Sequence, residues 1–270
     1  MAIANPLNTS LPAGPAYQPR SLRLWQALLL PLSIGALLAV WQGAIWLKQY
    51  KAYILPSPAR VWQRLGVALA DGTLARHTAV TLSESLGGLA LGLTVAAVLG
   101  YLLAHSRPLE SLLAPYIIAS QSIPIVAVAP LFIIWFGSGP AAKVLICALI
   151  VFFPVLINVI VGVRSVEPDL RDLMRSLRSN RWQTFVHLEL PAALPTLLAG
   201  VKIGATLSVI GAVVGEFVGA DRGLGFLISA ARGQFDTALV FVAVLALVVI
   251  AMSLYGLVAL LERALLAWKE

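Results

Sequence analysis

Long apolar runs separated by shorter polar segments set the pattern of this chain of 270 residues. Six of the runs are long enough to cross about 30 Å of hydrocarbon, because a helix rises about 1.5 Å per residue. They cover residues 24–47, 79–104, 112–136, 144–163, 197–218 and 238–260. The pattern predicts an all-α membrane protein with about six transmembrane helices, in which residues 21–270 form a single transmembrane domain. Residues 1–20, rich in Pro, Ala, Ser and Asn, predict a flexible N-terminal tail.

The polar segment between the fourth and fifth runs, residues 164–195, is the most informative part of this pattern. The bilayer core offers it no hydrogen-bond partners, so we expect it to lie in water or on a partner. Its apolar residues recur at helical spacing in two groups, Leu170, Leu173, Met174 and Leu177, then Trp182, Phe185 and Leu188. This spacing predicts two short amphipathic helices, joined near Ser179 and Asn180, that present a docking surface.

The distribution of Lys and Arg indicates the direction of insertion. Six spans put both termini on the same side of the membrane as the polar segment. Ten Lys and Arg flank the spans on that side, and seven lie in the loops 48–78 and 219–237 on the other. This excess is weak, but it favours a cytoplasmic polar segment under the positive-inside rule. We therefore expect the segment and both termini in the cytoplasm.

Composition supports a membrane protein and argues against other classes. The chain is 60% hydrophobic and 11% charged, whereas soluble domains carry about 25% charged residues. The net charge of +7 therefore fits basic residues that flank the spans near membrane lipid, and not a nucleic-acid-binding surface. The single cysteine, Cys147, lies within an apolar run and predicts a packed core thiol.

No residue pattern predicts catalysis, a cofactor or a metal site in this chain. The phosphate-binding pattern G-x-x-x-x-G-K-[ST] does not occur, and neither does a Ser–His–Asp or Cys–His set in a polar pocket. The histidines, His77, His105 and His187, fall at predicted span ends or in the polar segment, where we expect them to be solvated. The chain is therefore not expected to be an enzyme, and ATP would be used by a separate protein.

Polar residues inside the spans are the candidates for a translocation path. They are Gln121, Ser122, Asn158, Ser208 and Glu216. Pro124 predicts a kink in the third span, so Gln121 beside it either marks a structural kink or lines the path. Glu216 either contacts a gate or substrate, or anchors the structure by solvation at the outer interface or by pairing with Arg222 or Arg232.

Small residues recur every four positions in the second span, at Gly88, Gly92, Ala96 and Gly100. This spacing allows two helices to approach closely in a bilayer. We expect the face to pack tightly against a neighbouring helix. A moving interface is the alternative interpretation.

The polar segment also carries a motif, which aligns with the loop pattern E-A-A, three residues, Gly, nine residues, I-x-L-P. The matching positions are Asp172, Leu173 and Met174 at E-A-A, Arg178 at the glycine, and Leu188, Leu190 and Pro191 at the end. The chain thereby resembles the inner-membrane permease subunits of bacterial ABC importers. The resemblance extends to YILPSPARVW, SIPIVAVAPLFIIWFGSG and LPAALPTLLAGVKIGATLSVIGAVVGEFVGADRGLGFLI. Within that group the chain is similar to permeases for sulfonates, taurine and nitrate. It looks closest to the branch linked to thiamine-pyrimidine precursors and riboflavin.

The resemblance implies a type I ABC importer permease fold in a multi-pass protein of the bacterial inner membrane. It also implies a homodimer that works with two cytoplasmic ATPase subunits, which use ATP and Mg, and with an extracytoplasmic substrate-binding protein. That protein would dock on the loop after the first span and on residues 223–236. The implied ATPase-coupling residues are Asp172, Leu173, Met174, Leu177, Arg178, Trp182, Phe185, Leu188 and Pro191. A small organic nutrient, such as a vitamin precursor, a sulfonate or a similar anion, would cross by alternating access.

An ion-coupled secondary transporter is the alternative function. It requires acids or bases at mid-depth in the membrane for a proton or sodium relay, and Glu216 alone is thin support for one. Uptake that follows an ionophore-sensitive gradient, with no ATPase copurifying, would favour this class. A membrane enzyme would need a polar catalytic cluster near an interface, and the sequence contains none.

Overall fold

The computed structural model describes residues 20–267, with side chains described from residue 29 onwards except at residue 30. The predicted tail, residues 1–20, therefore lies outside the described residues apart from Arg20. All regular structure in the described range is helical. The helices are α1 (Arg20–Lys48), α2 (Pro58–Ala70), α3 (Thr73–His105), α4 (Arg107–Gln121), α5 (Ile125–Phe136), α6 (Pro140–Arg164), α7 (Pro168–Ser176), α8 (Arg181–Thr184), a π-helical turn (Phe185–Glu189), α9 (Leu190–Gly219), α10 (Leu224–Gly233) and α11 (Thr237–Leu265).

The chain forms two compact units, Met1–Lys51 and Ala52–Glu270. In the first unit, α1 is 29 residues long and contains the first predicted span. In the second unit, the helices long and apolar enough to cross a membrane, among the described residues, are Thr73–His105, Pro140–Arg164, Arg181–Gly219 and Thr237–Leu265. They contain the second, fourth, fifth and sixth predicted spans, which are confirmed as helical.

The third predicted span, residues 112–136, is not one helix. It is divided into α4 and α5, which are bent by 96° across residues 122–124. Pro124 immediately precedes α5. Because proline lacks an N–H group and restricts the residue before it, it favours a break here. The predicted kink is thus a complete break, and the second unit has a fifth candidate span only if this bent pair counts as one.

The contacts of α6 with α3 and with α9 form the core of the second unit. The small residues of α3 that were predicted to share a packed face, Gly88, Gly92, Ala96 and Gly100, are all buried. A methyl group on Gly88 would lie 2.0 Å from Cβ of Cys147, and one on Gly92 would lie 2.8 Å from the carbonyl oxygen of Ala148. The predicted close packing is confirmed, and so is the predicted burial of Cys147.

Helix α9 reaches α6 through small residues of its own. A methyl group on Gly211 would lie 2.7 Å from Cα of Cys147. One on Gly204 would lie 3.1 Å from Cγ1 of Val151 in α6 and 3.4 Å from Cδ1 of Leu89 in α3. Cys147 is therefore the place at which α3, α6 and α9 come together.

The short helices α2 and α10 lie at the end of α9 opposite the polar segment. Nε of Arg64 in α2 donates a hydrogen bond to Oδ2 of Asp236 at 2.8 Å. The hydroxyl of Thr237 donates to the carbonyl oxygen of Tyr53. These contacts join the loop that follows α1 to the turn between α10 and α11.

Replacing Gly88 with Ala tests the close approach of α3 and α6. The added methyl group overlaps Cys147, so we expect the free energy of unfolding to fall by about 1–3 kcal/mol. Thermal unfolding of the purified protein in detergent, followed by tryptophan fluorescence, measures the change. Gly256→Ala in α11 is the matched control, because a methyl group there would have no neighbour within 4 Å. Equal melting temperatures for the two variants would contradict the packing.

Candidate coupling surface and translocation path

The polar segment exposes large apolar side chains. Helix α7 contains no buried residue. Leu173 and Leu177 are 53% and 66% exposed, and Trp182 at the start of α8 is 71% exposed. Charged and polar residues surround these side chains, so the segment does not fit the hydrocarbon core. An exposed apolar patch with a polar rim is typical of a surface that binds another protein.

The predicted coupling residues all lie on this segment or where it joins α9. Five are exposed, namely Asp172, Leu173, Leu177, Arg178 and Trp182. Four are half-buried, namely Met174, Phe185, Leu188 and Pro191. The exposed group is available to a partner as the structure stands, whereas the half-buried group also packs against the rest of the chain.

The second helix of the segment is not the separate short helix that the sequence predicted. Asn180 begins it with a reciprocal cap, in which Asn180 and Gln183 each accept a hydrogen bond from the other's backbone N–H at 2.8 and 2.9 Å. From there α8, the π-helical turn and α9 run on as one helix of 39 residues, Arg181–Gly219. The wide turn precedes Pro191, whose ring does not fit against the carbonyl of residue 187 in a regular α-helix. The helix therefore passes the proline without ending.

The connection between α7 and α8 has an unusual backbone conformation at Arg178. Its φ angle is 52°, in the left-handed region that costs a non-glycine residue about 1–2 kcal/mol. Arg178 stands at the position where the loop pattern has glycine, the residue that adopts this conformation without a steric cost. The turn thus keeps the geometry of the motif although the residue has changed.

A buried carboxylate connects the segment to α3. Glu189, at the end of the π-helical turn, is 5% exposed. Its Oε2 accepts a hydrogen bond from the Tyr101 hydroxyl at 3.1 Å, and its Oε1 lies 2.9 Å from Nε2 of His105. His105 is exposed, as predicted, but it also pairs with this carboxylate. Sequence reasoning missed this contact, because 84 residues separate the acid from the histidine.

A second buried polar cluster lies where α3, α6 and α9 meet α10. Nζ of Lys143 lies 3.1 Å from Oε1 of Glu84, and both side chains are almost fully buried. The carboxylate of Glu216 accepts hydrogen bonds from the Thr81 hydroxyl at 2.6 Å and from the backbone N–H of Gly225. Glu216 therefore attaches the start of α10 to α3. Lys143 had no place among the predicted sites, because it directly precedes an apolar run and resembles a flanking residue.

The structure corrects two expectations for Glu216. It is 2% exposed, so it is not solvated at the outer interface. It makes no ion pair with Arg222 or Arg232, and its partners are the Thr81 hydroxyl and the backbone N–H of Gly225. Its contacts with Thr81 and Gly225 fit an anchoring role, and the predicted contact with a gate or substrate stays a prediction.

The other candidate path residues fall into two groups. Gln121 and Ser122 lie at the break between α4 and α5 and are exposed. Asn158 is half-buried and donates to the carbonyl oxygen of Pro154 at 2.8 Å, and Ser208 is fully buried and donates to that of Ala205 at 2.9 Å. In this conformation, Ser208 and Glu216 are closed off from any open surface.

Comparison with known proteins identifies the family. The model of the binding-protein-dependent transport system inner membrane component matches residues 79–267. The chain belongs to this family. The riboflavin transport system permease of Chloroflexus aurantiacus is 51% identical over 245 residues, or 91% of each chain. The formylaminopyrimidine transport permease of Halalkalibacterium halodurans is 33% identical over 249 residues, covering 92% of this chain and 98% of the relative.

Solved structures agree on the fold. The permease superposes on a chain of the inward-facing MetNI methionine ABC transporter with a TM-score of 0.63 and 19% identity, over 71% of this chain and 95% of the other. The predicted family and fold are confirmed, as is a multi-pass protein of the inner membrane. The chain is an ABC transporter permease subunit, and the alternative of a secondary transporter is wrong. Its relatives are transport permeases and not enzymes.

Replacing Arg178 with Gly tests the left-handed turn. Glycine relieves the backbone strain, and we expect the free energy of unfolding to rise by up to about 1 kcal/mol. Arg175→Gly is the control, because Arg175 lies in the last turn of α7, where glycine costs up to about 1 kcal/mol. Thermal unfolding of the two variants should therefore shift in opposite directions. A destabilised Arg178→Gly variant would show that the strain is not there.

A double-mutant cycle tests the buried ion pair. Lys143→Met leaves the Glu84 carboxylate buried without its cation, and Glu84→Leu does the reverse, so each change should cost roughly 3–5 kcal/mol of unfolding free energy. The double variant removes both charges and should recover much of that loss. The exposed pair of Arg175 and Asp172 is the control and should couple by less than about 1 kcal/mol. Additive losses at Glu84 and Lys143 would contradict the pairing.

Proposed function

We propose that this permease works as a homodimer in an ATP-driven importer, with two cytoplasmic ATPase subunits and an extracytoplasmic binding protein. The observation that carries the proposal is the exposure of Leu173, Leu177 and Trp182 on a polar segment between two spans. An isolated chain gains nothing from holding these side chains in water. A partner with an apolar groove gains on the order of 1.5–3 kcal/mol for each side chain that it buries fully.

Four arginines accompany the apolar side chains on the segment. They are Arg171, Arg175, Arg178 and Arg181. Three of them, Arg175, Arg178 and Arg181, are exposed and can steer an acidic partner surface or make contacts at its rim. Arg171 instead donates to the carbonyl oxygen of Val163 at 2.8 Å, so its role is to hold the segment against the end of α6. Positive-inside residues are the alternative interpretation of the exposed three.

The opposite end of the permease supports docking of a binding protein. The contacts of Arg64 with Asp236 and of Thr237 with Tyr53 bring the loop after α1 next to residues 223–236. These are the two regions on which we expect a binding protein to dock. A groove of about 510 Å³ lies between them, and exposed Arg60 contributes to its lining. The two regions therefore offer one continuous surface.

The break between α4 and α5 supports a path for the substrate. Helix ends inside a membrane leave backbone groups without partners, and they are tolerated only beside protein or a water-filled cavity. In transporters such ends contact the substrate. Gln121 and Ser122 add exposed side chains at the same break. We therefore assign the path to the face that carries this break, where the second protomer would close it.

A vitamin-type heterocycle is the substrate class that the relatives favour. Identity is 51% with a riboflavin transport permease and 33% with a formylaminopyrimidine transport permease. Both relatives are named for nitrogen heterocycles. Riboflavin is therefore the first candidate substrate, delivered by the binding protein, and alternating access moves it inward.

Leu177→Asp tests the coupling surface. The permease is reconstituted in vesicles with its ATPase and binding protein, and uptake of labelled riboflavin is measured with and without ATP. A charge at the centre of the apolar patch should lower ATP-dependent uptake by at least about 10-fold and release the ATPase during purification. Ser176→Asp is the matched control, because it adds the same charge to the neighbouring, more polar side of α7.

Two outcomes would contradict the proposal. The first is Leu177→Asp protein that retains both its ATPase and its uptake. The second is uptake that follows an ion gradient and not ATP. Competition by unlabelled riboflavin, formylaminopyrimidine or taurine then identifies the substrate class, independently of the mode of energy coupling.

A further inference from the structure

We propose that Glu189 is a positioning residue that makes α3 move together with the coupling segment, defined as Pro168–Glu189. The proposal rests on the proposed function, in which this segment takes up force from an ATPase. The chain already joins the segment to α9, because Arg181–Gly219 is one helix. Helix α3 has no such covalent link. Glu189 supplies a non-covalent link at the C-terminal end of α3.

The hydrogen bonds of Glu189 all lead to the last two turns of α3. Tyr101 donates to Oε2 at 3.1 Å, and Nε2 of His105 lies 2.9 Å from Oε1. Nδ1 of His105 lies 2.9 Å from the carbonyl oxygen of Tyr101. Both ring nitrogens thus face acceptors, and a protonated ring would donate to both of them. The carboxylate is therefore satisfied by α3 alone.

Aromatic contacts reinforce the same link. The ring of Tyr101 meets that of Phe185 edge to face, with centroids 5.3 Å apart. Phe185 in turn packs against Trp182, at 5.7 Å between centroids. Trp182 is the exposed residue available to the ATPase. A continuous row of side chains therefore connects the docking surface to α3.

The surroundings of Glu189 make the link costly to break. The groove of about 680 Å³ beside it is lined mainly by apolar residues, among them Val98, Leu102 and Val159, and also by Arg181. A carboxylate in such a site is stable only while its hydrogen bonds are made. Separation of α3 from the segment would remove both of its hydrogen-bond partners, Tyr101 and His105. Apolar contacts alone could slide past one another, whereas this bond holds a fixed register.

The N-terminal part of α3 contacts α10, so movement of α3 also affects the opposite end of the permease. Helix α3 is 33 residues long, or about 50 Å at about 1.5 Å per residue. Near its N-terminus Thr81 holds the start of α10, through Glu216 and through the N–H of Leu224 at 2.8 Å. Helix α10 belongs to the proposed docking region for the binding protein. A displacement of the coupling segment is thus carried by α3 to the opposite face of the membrane.

A removable cross-link tests this role. In the variant carrying Glu189→Cys and His105→Cys, the hydrogen bonds are lost, and we expect riboflavin uptake per ATP hydrolysed to fall roughly 10-fold with the ATPase still bound. A short bis-methanethiosulfonate reagent, applied to the purified permease before the ATPase is added, should restore most of the uptake. Dithiothreitol, which cleaves the cross-link, should abolish the restored uptake. Cys147, the only native cysteine, is fully buried and does not compete.

Single-cysteine variants treated with the same reagent are the controls, and they should not recover. Glu189→Gln tests the bonds without a cross-link, because its amide can accept from Tyr101 and donate to a neutral imidazole. It should retain most of the uptake, whereas Glu189→Leu should lose it. Size-exclusion profiles and melting temperatures establish that each variant is folded.

The outcomes separate this inference from the proposed function. Unchanged uptake per ATP in the double-cysteine variant, or a loss that the cross-link does not restore, overturns the role of Glu189. Either result leaves the coupling surface intact if Leu177→Asp still releases the ATPase. If Leu177→Asp has no effect, the proposed function itself fails, whatever Glu189 does.

Discussion

The close approach of α3, α6 and α9 around Cys147 is the constraint on which the rest of the permease depends. In a bilayer, apolar surface alone does not hold helices together, so fine packing and hydrogen bonds must do so. Glycines at the contact remove the side chains that would keep the backbones apart. The same closeness brings Lys143 to Glu84 and places Gly215 against the Lys143 stem, where a methyl group would lie 3.1 Å from Cγ. If the helices lay farther apart, Lys143 and Glu84 would be buried without each other as partners.

Much of this architecture follows from the sequence, because the membrane leaves few choices. Hydrocarbon thickness sets the length of each apolar run, and five of the predicted runs lie within single helices. The four-residue spacing of Gly88, Gly92, Ala96 and Gly100 identified the packed face of α3 before its partner was known. The coupling segment was predictable because polar residues cannot occupy hydrocarbon. Local rules of length, period and polarity suffice for such features.

The features that sequence reasoning missed depend on partners far away in the chain. Glu216 meets Thr81 across 135 residues, and Glu189 meets Tyr101 across 88. Neither acid reveals its partner through spacing. Lys143 was hidden by its position beside an apolar run. The π-helical turn before Pro191 and the 96° bend after α4 show a further limit. A proline disturbs a helix in either place, but tertiary packing decides whether the helix bends, widens or stops.

The bend between α4 and α5 also bears on how the protein is made. A protomer that enters the lipid alone carries an interrupted helix whose free backbone groups find no water in the hydrocarbon. Each such group costs several kcal/mol until a protein surface or an aqueous space shelters it. Newly inserted chains are therefore under pressure to shelter this break soon after synthesis. We expect chains in which nothing shelters it to be removed by membrane quality control.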